Sequence, residues 1–120
     1  MELLNDHLLL NTAENLFLIP LKDVLFVQSS GTYSYIIGVA EEKWELSRPI
    51  NAYQLPLEST GFCRIHRSYM VNVLHIRRVD KIGKLVYLFN GTSIPYSRPG
   101  YQALQCFLKN QQISSELLKL

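Results

Sequence analysis

Residues 62–72 read FCRIHRSYMVN, and this stretch predicts two short strands joined by a tight turn. Apolar and polar side chains alternate before the turn, and aromatic and β-branched residues follow it. On a strand, Ile65 is expected to face a core while Arg64 and His66 share the opposite face. A turn after His66 then projects Arg67 away from the protein, where it can meet a polar or charged partner.

Strand signals also dominate the chain around this stretch. Runs rich in apolar, β-branched and aromatic residues lie at 15–21, 24–28, 33–40, 43–46, 76–82, 84–89 and 92–96. Turn-forming residues separate these runs, notably Gly83 and the pair Asn90-Gly91. The pair predicts a type I′ hairpin turn because both residues tolerate positive φ. Many strands with one terminal helix predict a mainly β domain, not a parallel α/β one.

Two helices are predicted, a short one near Ile50–Leu55 and one at the C-terminal end. The apolar residues on one face of the second helix are Tyr101, Leu104, Phe107 and Leu108. Ser97 is expected to cap this helix, and Pro99 suits its first turn. Residues 113–120 either extend the helix or fray.

The composition predicts one folded domain over residues 1–120, with a core at about 10–110 and a tail at 111–120. Of the 120 residues, 48% are hydrophobic and 18% are charged, which argues against a disordered chain. No apolar run approaches the ~20 residues that cross a bilayer, and acids near Met1 stand where a secretory signal needs basic residues. Cys63 and Cys106 are too few for a disulfide scaffold, so we expect reduced, buried thiols in a cytoplasmic protein.

Charge is distributed unevenly along the chain. Residues 1–60 contain three Lys/Arg against eight Asp/Glu, whereas residues 61–101 contain seven Lys/Arg against Asp80 alone. A basic segment on a nearly neutral chain favours a surface for a polyanion, although a plain solvated face has the same composition.

Catalysis finds little support in the sequence. Cys63 and His66 are three residues apart, but no third ligand or orienting acid accompanies them. The glycines are scattered singly, so no phosphate-cradling loop is present. We therefore expect no catalytic site, no metal, no cofactor and no small-molecule substrate.

Nucleic-acid binding explains the same residues better. Arg67 can give two parallel hydrogen bonds to a guanine in the major groove, and Ser68 can donate to a phosphate. Ser97 and Arg98 precede a helix N-terminus, which attracts phosphate. Each residue also has a structural alternative: a surface salt bridge for Arg67, helix capping for Ser97 and simple solvation for Arg98.

Three blocks of the chain resemble the LytTR family of DNA-binding domains, the output modules of many bacterial response regulators. The stretch 62–72 is similar to that family's central signature F-x-R-x-H-R-S-[YF]-[LI]-V-N. Residues 23–27 (DVLFV) resemble an early strand, and 90–98 (NGTSIPYSR) resemble the segment before the last helix. The resemblance covers roughly residues 10–110. Gln28, where the family often has Glu, and Pro99-Gly100 depart from the pattern.

The resemblance implies a mainly β fold, an elongated arrangement of short antiparallel sheets with little helix. Its loops are expected to enter successive major grooves of double-stranded DNA. The residues implied to contact bases are Tyr33, Arg67 and Arg98. The residues expected to contact phosphates are Arg64, His66, Ser68, Arg77, Arg78, Lys84 and Ser97. Two copies on repeated sites are a family-level expectation. The family's usual receiver domain has no room here, so we expect a fragment of a longer regulator or a stand-alone member.

Two other functions stay open. A single-stranded nucleic-acid binder would use Tyr33, Tyr35 and Tyr87 as stacking platforms. A protein-interaction module would use the leucine-rich tail at 117–120.

Overall fold

A computed structural model describes residues 1–110 of the chain. The predicted tail, the extension of the last helix and the leucine-rich segment at 117–120 lie outside these residues. The described chain measures 48 × 29 × 25 Å along its principal axes. Short antiparallel sheets account for most of it, so the predicted elongated, mainly β fold is confirmed.

Three antiparallel sheets contain the strands of residues 1–110. The strands are β1 (Glu2–Leu4), β2 (His7–Asn11), β3 (Leu16–Pro20), β4 (Val24–Ser30), β5 (Tyr33–Gly38), β6 (Lys43–Leu46), β7 (Phe62–His66), β8 (Tyr69–Asn72), β9 (Ile76–Asp80), β10 (Leu85–Leu88) and β11 (Ser93–Pro95). The helices are α1 (Gln54–Glu58), which a 3-10 turn at Ile50–Tyr53 precedes, and α2 (Arg98–Asn110). Further 3-10 turns lie at Leu21–Asp23 and Val73–His75.

The five-stranded sheet is central and has the order β6-β5-β4-β8-β7. Val27 and Met70 belong to one core cluster, shared with the sheet β1-β2-β3, while the neighbouring Phe26 and Val71 belong to a second cluster, shared with the sheet β9-β10-β11 and α2. Apolar side chains therefore cover both faces of β4. This burial explains why residues 24–27 of β4 form a continuous apolar run with no polar alternation.

The sheet β1-β2-β3 contains two strands that the sequence did not reveal. Only β3 was predicted, whereas residues 2–11 form the hairpin of β1 and β2. Leu8 and Leu10 of β2 are buried, and Asn5 adopts a φ of 52° in the connecting turn. Leucines on both faces of β2 conceal the alternation that identifies a half-buried strand.

The hairpin of β10 and β11 does not use the predicted type I′ turn. Of its two turn residues only Gly91 has a positive φ, of 89°. The Asn90 Oδ1 accepts a hydrogen bond from the Thr92 amide at 3.1 Å, and the Gly91 amide donates to the Leu88 carbonyl at 3.0 Å. A type I turn followed by one left-handed residue is the geometry of a three-residue hairpin loop.

The hairpin of β9 and β10 also differs from prediction, since β9 ends at Asp80. The Asp80 Oδ1 accepts hydrogen bonds from the amides of Ile82 and Gly83 at 3.0 and 2.9 Å, which closes the turn early. These bonds hold the pKa of Asp80 below its usual value, chiefly through the Gly83 amide. The left-handed residue here is Lys84, with a φ of 57°.

The two cysteines differ in exposure. Both are free, as predicted, but only Cys63 is buried. Cys106 is exposed, so the expectation of two buried thiols was wrong for this residue. It lies on α2 outside the predicted apolar face, of which Leu104 is buried and the other members are half-buried.

Candidate nucleic-acid interface

Two of the three hairpin loops of the central sheet, those of β4–β5 and β7–β8, open at the same end. The antiparallel order places the last residue of β4, the first of β5 and the last of β6 at this end, together with the β7–β8 turn. We call it the loop end; it comprises residues 29–33, 47–48 and 66–69. Tyr33 is 48% exposed there, and Arg67 is also exposed.

The β7–β8 turn places Arg67 at its tip and fixes its own backbone. Ile65, directly before it, is fully buried, as predicted from the alternation. The Ser68 amide donates to the Nδ1 of His66 at 3.1 Å, which requires the ring proton to be on Nε2. The Ser68 carbonyl accepts a hydrogen bond from the Ser29 amide at 2.8 Å. This last bond joins the Arg67 turn to the loop that contains Tyr33.

The guanidinium of Arg64 also holds the β7–β8 turn in place. Its Nε donates to the His66 carbonyl at 2.9 Å, and its Nη2 donates to the Arg67 carbonyl. Its Nη1 donates to the side-chain oxygens of Asn51 and Gln54, each at 2.7 Å. Burial lowers the pKa of Arg64, while the negative charge of Glu58 acts in the opposite direction.

The start of α2 packs against β7 next to the turn. The Ser97 amide donates to the Ile65 carbonyl at 2.9 Å. The Ser97 Oγ accepts from the Gly100 amide at 3.1 Å, so Ser97 caps the helix as predicted. Gly100 is buried so closely that an added Cβ would lie 1.8 Å from the Ile65 carbonyl oxygen. Arg98, the residue after Ser97, is exposed at the start of α2.

A second group of basic residues adjoins Arg98. Lys81, Lys84 and Arg98 line one surface pocket together with Tyr96 and Tyr101. The Tyr96 amide donates to the Lys84 carbonyl at 3.2 Å, and the Tyr96 hydroxyl donates to the Asp80 carbonyl at 3.3 Å. The β9–β10 turn and the start of α2 therefore contribute positive charge to one surface.

Arg77 and Arg78 lie elsewhere. A register shift in β9 leaves Arg77 and Arg78 both exposed. The Arg78 guanidinium lies 4.0 Å from the centre of the Tyr87 ring, and that of Arg77 lies 5.7 Å from the Phe89 ring. Phe89 follows β10 at the end opposite to Lys84. The structure thus groups Lys84 with Arg98, and it does not bring Arg77 to that group.

Sequence analysis missed three residues of this surface. Arg48 is exposed at the loop end, where its carbonyl accepts a hydrogen bond from the buried Ser34 hydroxyl at 2.8 Å. Asn51 and Gln54 are the other two missed residues, and they anchor Arg64. Arg48 was counted with the acidic first half of the chain, because charge totals along a sequence ignore which strand ends meet in space.

An open groove between β7, α1 and α2 borders the turn. Both cysteines line it, together with Arg67 and Ser97. Burial raises the pKa of the Cys63 thiol to about 11, with smaller contributions from Glu58 and Cys106. Among residues 1–110, no group of three or more metal-ligating side chains is assembled. Within the same residues, no helix is long and apolar enough to cross a membrane.

Comparisons with known proteins agree with this geometry. The family model described as the LytTr DNA-binding domain matches residues 14–109. The transcriptional regulatory protein LytR of Staphylococcus aureus (strain N315) is 37% identical over 73 residues, which cover 57% of this chain and 30% of that protein. NatR, a transcriptional regulatory protein of Bacillus subtilis (strain 168), is 27% identical over 92 residues, covering 75% of this chain and 39% of NatR.

A solved LytTr DNA-binding domain from Bacillus cereus has the same fold. It superposes with a TM-score of 0.71 at 22% sequence identity, over 86% of this chain and 96% of that domain. Fold and family match together define a β-sheet DNA-binding domain. The chain belongs to the LytTr DNA-binding domain family. The matched part spans 30% and 39% of the lengths of LytR and NatR.

Proposed function

We propose that residues 1–120 form one DNA-binding domain of a bacterial transcription regulator. This cytoplasmic domain binds double-stranded DNA in a sequence-specific manner. The observation that supports this best is the meeting of the three segments implied to contact bases. One backbone hydrogen bond, from Ser29 to Ser68, joins the Tyr33 loop to the Arg67 turn. Another, from Ser97 to Ile65, joins the start of α2 to the strand that leads into this turn. Segments far apart in the sequence thus form one surface.

Arg67 is the proposed principal base contact. It is exposed at the tip of a turn whose backbone is hydrogen-bonded on both sides. The major groove is about 12 Å wide and admits a narrow projection of this kind, and arginine binds guanine O6 and N7 through two parallel hydrogen bonds. Tyr33 and Arg98 are proposed to contact bases on either side of it.

Phosphate contacts are proposed to orient the domain on the duplex. Lys84 is exposed beside Arg98, and Ser68 has its hydroxyl at the turn. Arg77 and Arg78 are exposed on β9, away from Ser68, and each lies against an aromatic ring. The other proposed phosphate contacts are Arg64, His66 and Ser97. These last three already make hydrogen bonds within the chain. Arg64 and His66 each keep a free N–H for a phosphate, whereas the Ser97 hydroxyl would have to release the Ile65 carbonyl.

The wider context of the chain is also proposed. LytR and NatR are named as transcriptional regulatory proteins, and we propose that this chain belongs to a regulator of that kind. Two copies are proposed to occupy repeated sites.

The positions of the aromatic residues argue against the alternative function of single-stranded nucleic-acid binding. Tyr87 lies on the sheet β9-β10-β11 and is covered by Arg78 at 4.0 Å, whereas Tyr33 is exposed at the loop end of the central sheet. Tyr35 lies under the ammonium group of Lys43 at 4.1 Å. Stacking of successive bases needs uncovered rings that follow one path.

Competition between duplex and single strand tests the proposal. A labelled duplex enriched from a random pool is bound at about 150 mM salt and challenged with unlabelled duplex or with either single strand. We expect the duplex of the same sequence to compete at least tenfold better than either strand or a scrambled duplex. Equal competition by all four would refute sequence-specific duplex binding.

A further inference from the structure

We propose that Arg64 is a positioning residue for DNA reading: its guanidinium holds the β7–β8 turn in the shape that presents Arg67 to a base. This role rests on the proposed function, since it gives the turn a purpose only if the turn meets DNA. It assigns to Arg64 a task different from the phosphate contact expected from the sequence.

The hydrogen bonds of Arg64 are the first observation. A guanidinium has five N–H groups, and four of them donate within the chain. Nε and Nη2 donate to the consecutive carbonyls of His66 and Arg67, while both N–H groups of Nη1 point to the segment before and within α1. One N–H group remains for any outside partner, so the geometry serves the protein better than it serves a phosphate.

The second observation is what these bonds do to the turn. The carbonyls of residues 66, 67 and 68 and the amide of Ser68 are all hydrogen-bonded within the chain. The turn therefore has its backbone fixed, while the Arg67 side chain stays exposed. A side chain presented from a fixed backbone loses less conformational entropy on binding, and small misplacements weaken a bidentate contact sharply.

The third observation is that only arginine can do this from position 64. Its planar fork reaches two neighbouring carbonyls and, from the opposite side, the oxygens of Asn51 and Gln54. Lysine has the same charge, but its three donors radiate from one atom at the end of a flexible stem. The substitution Arg64→Lys thus keeps the charge and removes the brace.

The test combines Arg64→Lys with the double variant Asn51→Ala/Gln54→Ala, which removes the anchors of Nη1 and leaves Arg64 and the turn in place. Lys22→Arg is the matched control, because it exchanges the same two basic side chains at an exposed position outside the proposed DNA-binding surface. Circular dichroism and the Tm establish that each variant is folded, and the double variant keeps the test possible if Arg64→Lys is not.

The first readout needs no DNA. We expect amide hydrogen exchange at Ser68 to be at least tenfold faster in Arg64→Lys and in the double variant than in the wild-type protein and Lys22→Arg. Unchanged exchange in both variants would overturn the proposal whether or not the protein binds DNA.

The second readout is sequence preference, measured as the ratio of Kd values for a scrambled and a selected duplex. We expect this ratio to fall roughly tenfold in both loosened variants, as for a lost base contact, while the salt dependence of binding stays as in the wild type. If Arg64→Lys behaves like the wild type while Arg64→Gln loses about one unit of salt slope on all duplexes, Arg64 contacts a phosphate and the positioning role is wrong.

The two readouts also separate this inference from the function on which it rests. Faster exchange in the variants, combined with a wild-type protein that prefers no duplex, would refute the proposed function and with it the role of Arg64 in reading.

Discussion

The backbone amide of Ser97 donates a hydrogen bond to the carbonyl oxygen of Ile65 across 2.9 Å. The two residues are separated by the sheet β9-β10-β11 in the sequence, yet this bond places the first turn of α2 directly beside the turn that presents Arg67. The Ser97 hydroxyl adds the helix cap and lies 3.4 Å from the same carbonyl.

Removal of the helix cap should lower the stability of the protein and leave the charge of the proposed DNA-binding surface unchanged. We expect Ser97→Ala to lower the free energy of unfolding by about 1 kcal/mol, because the Gly100 amide loses its acceptor. Ser97→Asp should retain most of the stability, since a carboxylate also caps a helix. Urea unfolding of the three proteins measures this, and equal stability of Ser97→Ala and wild type would contradict the capping role.

Gly100→Ala should push α2 away from β7. Alanine is the better helix former by about 1 kcal/mol, but its Cβ would lie 1.8 Å from a backbone oxygen. We therefore expect a net loss of about 1–3 kcal/mol in unfolding free energy and a weaker preference for the selected duplex. The matched control is Gln102→Ala on the exposed side of the same helix, which should be nearly neutral. A more stable Gly100→Ala protein would show that the close approach is absent.

The two thiols should react very differently. At pH 8, iodoacetamide should alkylate the exposed Cys106 while Cys63 reacts only after unfolding, because burial raises the pKa of Cys63 to about 11. Mass spectrometry of the digested protein reads the two sites separately. Alkylation of both at the same rate in the folded protein would be inconsistent with the structure.

The same pKa predicts a pH dependence of stability. The folded state holds the Cys63 proton more tightly than the unfolded chain, whose thiol ionises near pH 8.5. The contribution is therefore constant below that pH and is lost progressively as the pH rises towards 11. We expect the stability of the wild type relative to Cys63→Ala to fall by about 1–2 kcal/mol between pH 8 and pH 10. A difference independent of pH would contradict it.

Lys84 should contribute charge without reading sequence. If it meets a phosphate, Lys84→Ala weakens binding to every duplex alike and lowers the slope of log Kd against log salt by about one unit. Arg78→Ala should act in the same way. The control is Lys22→Ala, because Lys22 lies before the central sheet, where its carbonyl contacts His75. A loss confined to the selected duplex would make Lys84 a base contact.

Local pattern was enough to predict the central strands and the second helix. The burial of Ile65 and the capping of α2 by Ser97 were predicted correctly, because both roles follow from the identity and spacing of neighbouring residues. The same reasoning missed the hairpin of β1 and β2, whose leucines lie on both faces. It also chose the wrong hairpin turn, because the Asn90 side chain bonds to the backbone and keeps Asn90 out of the left-handed region.

The site was predicted less completely than the fold. Sequence reasoning singled out Arg64, but its partners Asn51 and Gln54 lie 13 and 10 residues away on another element. The junction of Ser29 with Ser68 likewise depends on which strands pair in the central sheet. Contacts of this kind follow from topology, which no local pattern contains.

Selection of bound duplexes from a random pool at about 150 mM salt, for the wild type and Arg67→Ala side by side, tests the central claim most directly. We expect the wild type to enrich a defined motif, and Arg67→Ala to lose about 1–3 kcal/mol on it and to become degenerate at one position. Enrichment of the same motif by both proteins, with only a uniform loss of affinity, would show that Arg67 does not read a base. No enrichment by the wild type would contradict sequence-specific binding altogether.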